Sequence, residues 1–292
     1  MFSLYHEGEK YIQSLMDVGD KAESLSAMIQ NEIPSDASDF LKSLRFGVIA
    51  LSIDNQEVYT TLVYSDSCFI TEERKDKIRI SLKYHDYIPE EFFEVEDVNI
   101  GFIGLDFEKA MRVRINGFAK VERKNISLRV QEIYANCPRY IHKRVLQPKL
   151  KDLGESSIVR DTKMSAECME VIKKADTFFL ASSHTVKGVD VSHKGGKAGF
   201  VTPLSSSRLI FEDVPGNNMF NSLGNIHTNP FVSLLFTDFE KGDSYHLQGK
   251  AEIKESMYEE KKHLQVAVYC ESIVVTKNLF RQDYLLESLS RS

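Results

Sequence analysis

The 292-residue chain has no tryptophan, only 4 cysteines and only 7 prolines. The cysteines stand far apart and form no Cys-x-x-Cys pair, so neither a structural zinc site nor a dithiol redox site is indicated. No apolar run reaches the length of a membrane span, and the opening MFSLYHEGEK lacks the basic start and apolar run of a secretory signal. We therefore expect a reduced, cytoplasmic protein with no membrane partner.

The chain also has fewer basic than acidic residues: it contains 37 Lys and Arg and 43 Asp and Glu, so its net charge is −6. Broad attachment to nucleic acid or to anionic lipid is not expected of such a chain. An anionic ligand would have to be met by a local cluster of donors. The sequence also lacks Gly-x-Gly-x-x-Gly, Gly-x-Ser-x-Gly and His-Glu-x-x-His, and its GGKA lacks the rest of a P-loop.

What the sequence does contain is a repeat. DFEKAMRVRINGFA at 106–119 and DFEKGDSYHLQGKA at 238–251 share Asp, Phe, Glu, Lys and a later Gly, at an offset of 132 residues. The offset continues upstream, where Phe46 corresponds to Phe178. A constant offset over about a hundred residues predicts a duplicated domain.

Each copy contains short segments rich in Val, Ile, Phe and Tyr that are separated by turn-forming residues. This pattern predicts antiparallel strands that close into a small barrel, and Gly117 and Gly249, inside long strand patterns, predict bulges or barrel corners. The expected domains are a helical N-terminal extension (1–44), a first barrel (45–146), a linker and helix (147–170) and a second barrel (171–292).

The two copies differ where a ligand would bind. DVSHKGGKAGF at 190–200 corresponds to an ordinary strand at 58–68, and VPGNNMFNSLGNIHTNP at 214–230 corresponds to an acidic segment at 82–98. Lysine ammonium groups and glycine amides suit a phosphate, and asparagine amides suit the edge of a flat heterocycle. One anion site in the second copy is predicted, although a solvated hairpin with asparagines in turns is an equal alternative from these motifs alone.

These same stretches resemble the pyridoxamine 5'-phosphate oxidase-like family of FMN-binding split β-barrels. HEGE at 6–9 and NCPRYIHKR at 136–144 resemble its tandem, two-barrel form. The resemblance implies a mainly β fold with flanking helices, in which two tandem antiparallel split barrels form a pseudo-dimer around one FMN. It places the phosphate-contacting strand at 197–201 and the next ligand-contacting loop at 212–222. The oxidase's Arg-x-x-x-Leu-Lys strand and its tryptophan are absent here, which argues against pyridoxamine phosphate as the substrate.

The predicted cofactor-binding residues are His193, Lys194, Gly196, Lys197, Gly199, Phe200, Val201, Asn217, Asn218, Asn221, Ser222, Tyr140 and Arg144. Tyr140 and Arg144 lie in the basic NCPRYIHKR segment, which either reaches across to the flavin pocket or is a basic helix start on the surface. No catalytic base can be named, and no metal ligand is predicted. We expect an FMN-dependent oxidoreductase whose partner is a small-molecule substrate or an electron donor or acceptor.

Two other functions stay open from the sequence. A haem-binding or haem-degrading split barrel would need an axial ligand such as His193, His227 or His142. A flavin sensor without enzymatic activity, or a scaffold without flavin, would need no catalytic residue at all. The N-terminal extension would cover the barrel or a second subunit, so a homodimer is also open.

Overall fold

The computed structural model describes residues 4–135, 138–147, 156–214, 216–258, 261–279 and 285–288. Its helices are α1 (Glu7–Leu15), α2 (Gly19–Ser26), α3 (Ser35–Ser43), α4 (Ala166–Lys174) and α5 (Asn221–Thr228), with one 3₁₀ helix at Glu90–Glu94. None of the helices in these ranges is long and apolar enough to cross a membrane.

The strands fall into two large antiparallel sheets. The first contains β1 (Phe46–Ser52), β2 (Tyr59–Tyr64), β3 (Ile70–Arg74), β4 (Lys77–Ser81), β5 (Val98–Asp106), β6 (Met111–Val121) and β7 (Asn125–Ala135). After β8 (Arg144–Gln147), the second contains β9 (Ser157–Asp161), β10 (Thr177–His184), β11 (Gly188–Gly195), β12 (Val201–Ser205), β13 (Arg208–Glu212), β14 (Phe231–Asp238), β15 (Asp243–Tyr258) and β16 (Lys261–Lys277). The last strand, β17 (Leu285–Ser288), pairs with β8.

Both sheets have the same strand order. The first runs β2-β1-β5-β6-β7-β4-β3 and the second β11-β10-β14-β15-β16-β13-β12, with β9 added beside β16. The fold is therefore mainly β, with two antiparallel split barrels in one chain, as the sequence predicts. The offset is 132 where β6 and β15 begin, since Asp106 pairs with Met111 and Asp238 with Asp243.

The offset between the two copies changes in the first hairpin, which differs in length between the barrels. Phe46 pairs with Tyr64 in the first barrel, whereas Phe178 pairs with Lys194 in the second. Lys194 therefore corresponds to Tyr64, at an offset of 130 residues rather than 132, because the second hairpin is two residues shorter. The contrast between a plain strand and a lysine-bearing strand is unchanged by this correction.

The two bulge glycines are confirmed. The register shifts between Asn116 and Gly117 in the first sheet and between Gln248 and Gly249 in the second. A Cβ at Gly117 would lie 2.0 Å from the backbone oxygen of Arg129, so only glycine fits where the neighbouring strand approaches so closely.

The N-terminal extension predicted at 1–44 contains the three helices α1, α2 and α3, and the chain turns between α1 and α2 at Asp17, whose φ is 55°. Part of the predicted linker, Ser157–Asp161, forms β9, which pairs with β16. All five β9 side chains are exposed, so no alternation of polar and apolar residues marked this edge strand.

The barrels meet through an apolar face that belongs to both. Phe46 and Val48 of the first barrel and Phe179, Val191 and Leu235 of the second are buried in one cluster. Burial of this face contributes roughly 25 cal/mol for each Å² of apolar surface removed from water, so the two barrels form one packed unit. A cleft lined by both barrels lies beside this interface.

Candidate functional site

A cleft of about 740 Å³, open solvent included, lies between the two barrels. The first barrel lines it with Ile103, Arg112, Arg114, Arg139 and Tyr140. The second barrel lines it with Ser192, His193, Lys194, Gly195, Asp213, Val214, Gly216, Asn217, Asn218, Phe220, Asn221, Ser222 and Leu223. The cleft therefore joins β6, β11, the loop after β13 and the start of α5.

The cleft is rich in positive charge although the whole chain is acidic. Of the residues that the structure describes, four basic side chains and one carboxylate line it, namely Arg112, Arg114, Arg139, Lys194 and Asp213. The Lys194 ammonium lies 3.0 Å from the carboxylate of Asp213, and both side chains are largely buried. Such a concentration of cations in a concave, partly desolvated site favours an anionic ligand.

Arg114 forms the floor of the cleft. It is only 5% exposed and donates to Ser192 Oγ at 2.6 Å and to the Tyr134 hydroxyl at 2.9 Å. Its charge is balanced by Asp190, at 3.4 Å, and Ser192 continues the network to Ser222 at 2.6 Å. Because these partners come from both barrels, the floor is fixed by cross-barrel hydrogen bonds.

His193 has a defined protonation state. Arg112 donates from Nη1 to His193 Nδ1 at 2.7 Å, and an arginine can only donate. The proton of the neutral imidazole must therefore be on Nε2, which is buried and has no hydrogen-bond partner among the described residues. Burial, reinforced by the Arg112 charge, holds the pKa of His193 well below its ordinary value. The side chain is neutral at physiological pH.

Residues 138–142 cross from the first barrel to the end of β11. His142 Nε2 donates to the backbone oxygen of Gly196 at 2.7 Å. A Cβ at Gly195 would lie 2.1 Å from the backbone oxygen of Tyr140, so glycine is required there. Tyr140 itself has a left-handed backbone, with φ of 65°, and lines the cleft.

The structure brings seven of the thirteen predicted site residues to the cleft: His193, Lys194, Asn217, Asn218, Asn221, Ser222 and Tyr140. It does not bring Gly196, Lys197, Gly199, Phe200, Val201 or Arg144 to the lining. The wall is formed by β11 rather than by 197–201, because the chain turns away from the cleft after Gly195.

The residues beyond the turn have other contacts. The Gly196 amide donates to the Asp176 backbone, the Phe200 ring stacks on Phe178 and Val201 is in the core of the second barrel. Arg144 bonds to Asp176 and lies over the ring of Phe239 at 4.8 Å, away from the cleft.

Sequence reasoning did not select the arginines of the first barrel. Arg112 and Arg114 stand two apart in MRVRING, the segment whose repeat partner is DSYHLQG. The alternation marks one face of a strand, but only the packing of the two barrels shows that this face lines a ligand cleft. Arg139 lies in NCPRYIHKR, the segment that also contains the predicted residues Tyr140 and Arg144.

The related position on the other side of the pseudo-dimer is closed. From the register of β6 and β15, Arg112 corresponds to Ser244 and Arg114 to His246. His246 approaches Thr60 of β2 at 3.2 Å, as Arg114 approaches β11. The open cleft and this closed position are therefore related by the same strand pairing, with different side chains.

Asp86 fills this second position. His246 donates from Nε2 to its carboxylate at 2.6 Å, Ser244 and Thr276 also donate to it, and the Asp86 and His246 side chains are fully buried. Although burial acts to raise it, the pKa of Asp86 is held below its usual value by His246 and these hydroxyls. The protein's own side chains thus occupy the space that is a cleft on the other side.

One group of side chains has the composition of a metal site. His6, Glu7 and His184 place their ligand atoms within 4.8 Å of one another. However, His6 Nδ1 accepts the Gly8 amide and His184 Nδ1 accepts the Val186 amide, so both imidazoles carry their proton on Nε2. Since Nε2–H has no lone pair to offer, these residues hold the N-terminal helix on the second barrel rather than a metal.

Comparison with known proteins gives one sequence match. Residues 164–282 match the family model described as pyridoxamine 5'-phosphate oxidase. The second barrel belongs to the pyridoxamine 5'-phosphate oxidase-like family. Members of this family bind flavin. The matched residues include β11, the loop after β13 and α5, which form the second barrel's half of the cleft.

Three solved structures illustrate the similarity. A Lactobacillus delbrueckii protein described as a pyridoxamine 5'-phosphate oxidase is 18% identical, with 39% of this chain and 94% of that chain covered and a TM-score of 0.32. HupZ of Group A Streptococcus is 16% identical, with 38% and 91% covered and a TM-score of 0.30. A FAD-binding protein of Mesorhizobium loti is 16% identical, with 41% and 97% covered and a TM-score of 0.29. No curated protein sequence matches this chain.

Proposed function

We propose that the chain binds one FMN in the cleft between its barrels and acts as a flavin-dependent oxidoreductase of the pyridoxamine 5'-phosphate oxidase-like family. The observation that carries the proposal is the charge of the cleft. Among the described residues, three arginines and a lysine line it against a single carboxylate, in a chain whose net charge is −6. The phosphate of a flavin such as FMN, the class of ligand that the family binds, would pair with these basic side chains.

The lining residues fit the separate parts of FMN. Arg112, Arg139 and Lys194 would hold the phosphate through charge-assisted hydrogen bonds. Asn217 and Asn218 offer amide donors and acceptors to the edge of a ring, and Tyr140 offers a ring for stacking. When bound, the flavin supplies hydride or electron transfer through its ring, while the protein binds and orients it.

The position of Asp86 supports one ligand in each chain. A carboxylate already occupies the related position between the barrels, and it would repel a phosphate there. A small-molecule substrate or electron partner, a cytoplasmic location and a homodimer remain predictions.

Haem is less well supported. His193 Nδ1 accepts from an arginine, so its Nε2 carries a proton and cannot ligate iron without losing that hydrogen bond. His142 uses Nε2 to donate to a backbone oxygen. His227 lies outside the cleft, stacked on the ring of Tyr11. None of the three histidines has a free axial nitrogen facing the cleft.

The test is a titration of the purified chain with FMN, followed by the quenching of flavin fluorescence. We expect saturable binding of FMN and at least tenfold weaker binding of riboflavin, which lacks the phosphate, since charge-assisted hydrogen bonds contribute about 1.5–3 kcal/mol each. Equal affinities for the two flavins, or a protein that purifies with a haem absorption band, would contradict the proposal.

A further inference from the structure

The loop between β13 and α5 has an unusual backbone. Asn218 and Phe220 both have left-handed conformations, with φ of 62° and 59°. Residues with a Cβ adopt this conformation at a cost, so the surrounding structure must hold them in it. The loop also supplies Asn217, Asn218 and Phe220 to the cleft, so its shape determines where these side chains lie.

The N-terminal helix contacts this loop on both sides of Phe220. Gln13 of α1 donates from Nε2 to the backbone oxygen of Met219 at 2.9 Å. The Glu9 carboxylate accepts from Asn221 Nδ2. Both Glu9 and Gln13 are buried, more than 200 residues away in sequence from the loop that they contact.

Two packing contacts hold α1 in place. A Cβ at Gly8 would lie 2.2 Å from the backbone oxygen of Gly224, so α1 and α5 are in backbone contact. The Met219 side chain is buried in a small cluster with Tyr5 and Ala22, which flank α1. The N-terminal segment thus contacts both the backbone and a side chain of the loop.

We infer that α1 is part of the ligand site, with Glu9 and Gln13 as positioning residues that hold loop 217–221 in the shape that binds the ligand. The inference rests on the proposed function for the identity of the ligand, but its structural part concerns the protein alone. Neither residue lines the cleft, so both act through Met219 and Asn221.

The test compares Glu9→Ala and Gln13→Met with Ser14→Ala, an exposed position on the same helix. Gln13→Met keeps the length of the side chain but removes the N–H donor. We expect amides 217–224 of the ligand-free protein to exchange about tenfold faster with solvent deuterium in the two variants than in Ser14→Ala. FMN should bind roughly tenfold more weakly, because the loop has the shape that binds the ligand in a smaller fraction of the protein molecules.

Glu9→Gln is the conservative control, since its amide oxygen can still accept from Asn221, and it should restore most of both losses. Gln13→Met carries the test if Glu9→Ala fails to fold. Unchanged exchange in both variants, or faster exchange with unchanged FMN affinity, would overturn the inference. If FMN does not bind the wild type, the proposed function fails, while the exchange experiment still tests whether α1 holds the loop.

Discussion

At the scale of single residues, the structure separates two lysines that the sequence places in one motif. Lys194 lines the cleft and pairs with Asp213, whereas Lys197 is exposed beyond the turn. Their three-residue spacing suggested one phosphate cradle. The pleat of β11 and the turn that follows it point them to different places, and such turns depend on contacts that a motif does not contain.

This separation predicts different effects of the two lysines on binding. Lys194→Ala should weaken FMN binding by roughly 10- to 100-fold, because it removes a charge-assisted contact worth about 1.5–3 kcal/mol and leaves Asp213 unpaired in the cleft. Lys197→Ala is the matched control and should change the affinity by less than about twofold. The measurement is the same fluorescence titration. Equal losses of FMN affinity in the two variants would indicate that the 197–201 segment also binds the phosphate, as the sequence predicts.

The neutral state of His193 predicts a pH dependence of stability. The unfolded side chain titrates at its ordinary value of 6.5, whereas the folded pKa lies well below it. Below pH 6.5 the unfolded state therefore binds a proton that the folded state does not, so stability is lost as the pH falls. His6, whose pKa burial lowers to about 4, acts in the same direction.

His193→Asn keeps an acceptor for Arg112 but cannot titrate. Between about pH 7 and pH 5, the wild type should lose roughly 2 kcal/mol more unfolding free energy than this variant, since each unit of pKa difference is worth about 1.4 kcal/mol. Urea unfolding at the two pH values measures the difference. Parallel losses would show that folding does not lower the pKa of His193.

At the scale of elements, the sequence predicts the bulges at the two strand glycines, but it does not predict which face of one barrel packs against the other barrel. Gly117 and Gly249 stood out because a glycine interrupts a β-branched run, and both mark bulges. The arginine pair on β6 was equally visible as an alternation. Its role depends on β11 from the other barrel, and periodicity along one strand carries no information about which distant strand it will face.

The bulge glycines allow a quantitative test. A Cβ at Gly249 would lie 1.9 Å from the backbone oxygen of Tyr269, and backbone on both strands would have to move. Gly249→Ala should therefore lower the unfolding free energy by about 1–3 kcal/mol or more. Gly19→Ala, where a Cβ would meet nothing within 4 Å, is the control and should be close to neutral. Chemical unfolding compares the two.

At the scale of the whole molecule, buried polar groups make the two equivalent positions between the barrels different from each other. The same strand order gives two equivalent positions between the barrels. One is an open, cationic cleft with Arg114 as its floor, and the other is closed by Asp86 and His246. The sequence predicted one site from its glycines and lysines, but the closure of the other depends on an aspartate that composition did not distinguish from its acidic neighbours.

The Asp86–His246 pair also links the barrels. His246→Leu would remove the imidazole partner of the buried Asp86 carboxylate and leave it only hydroxyl and backbone N–H donors, and breaking such a buried pair typically costs about 3–5 kcal/mol. Adding Asp86→Asn to that variant should recover part of the loss, because the uncompensated charge is removed. Urea unfolding of the single and double variants checks both statements, and a double variant less stable than the single one would contradict the ion-pair account.

Because one of the two positions between the barrels is closed, we expect each chain to bind one flavin. If the cationic cleft is the ligand site, equilibrium dialysis with saturating FMN should give one flavin for each chain, not the two that two open clefts would hold. The single ligand should be lost on Arg112→Ala combined with Lys194→Ala and retained on His246→Leu, because only the first variant changes the cleft lining. Two flavins bound to the wild type would mean that Asp86 leaves its buried position when ligand is present, which the hydrogen bonds that its carboxylate accepts from His246, Ser244, Thr276 and the Tyr87 amide oppose.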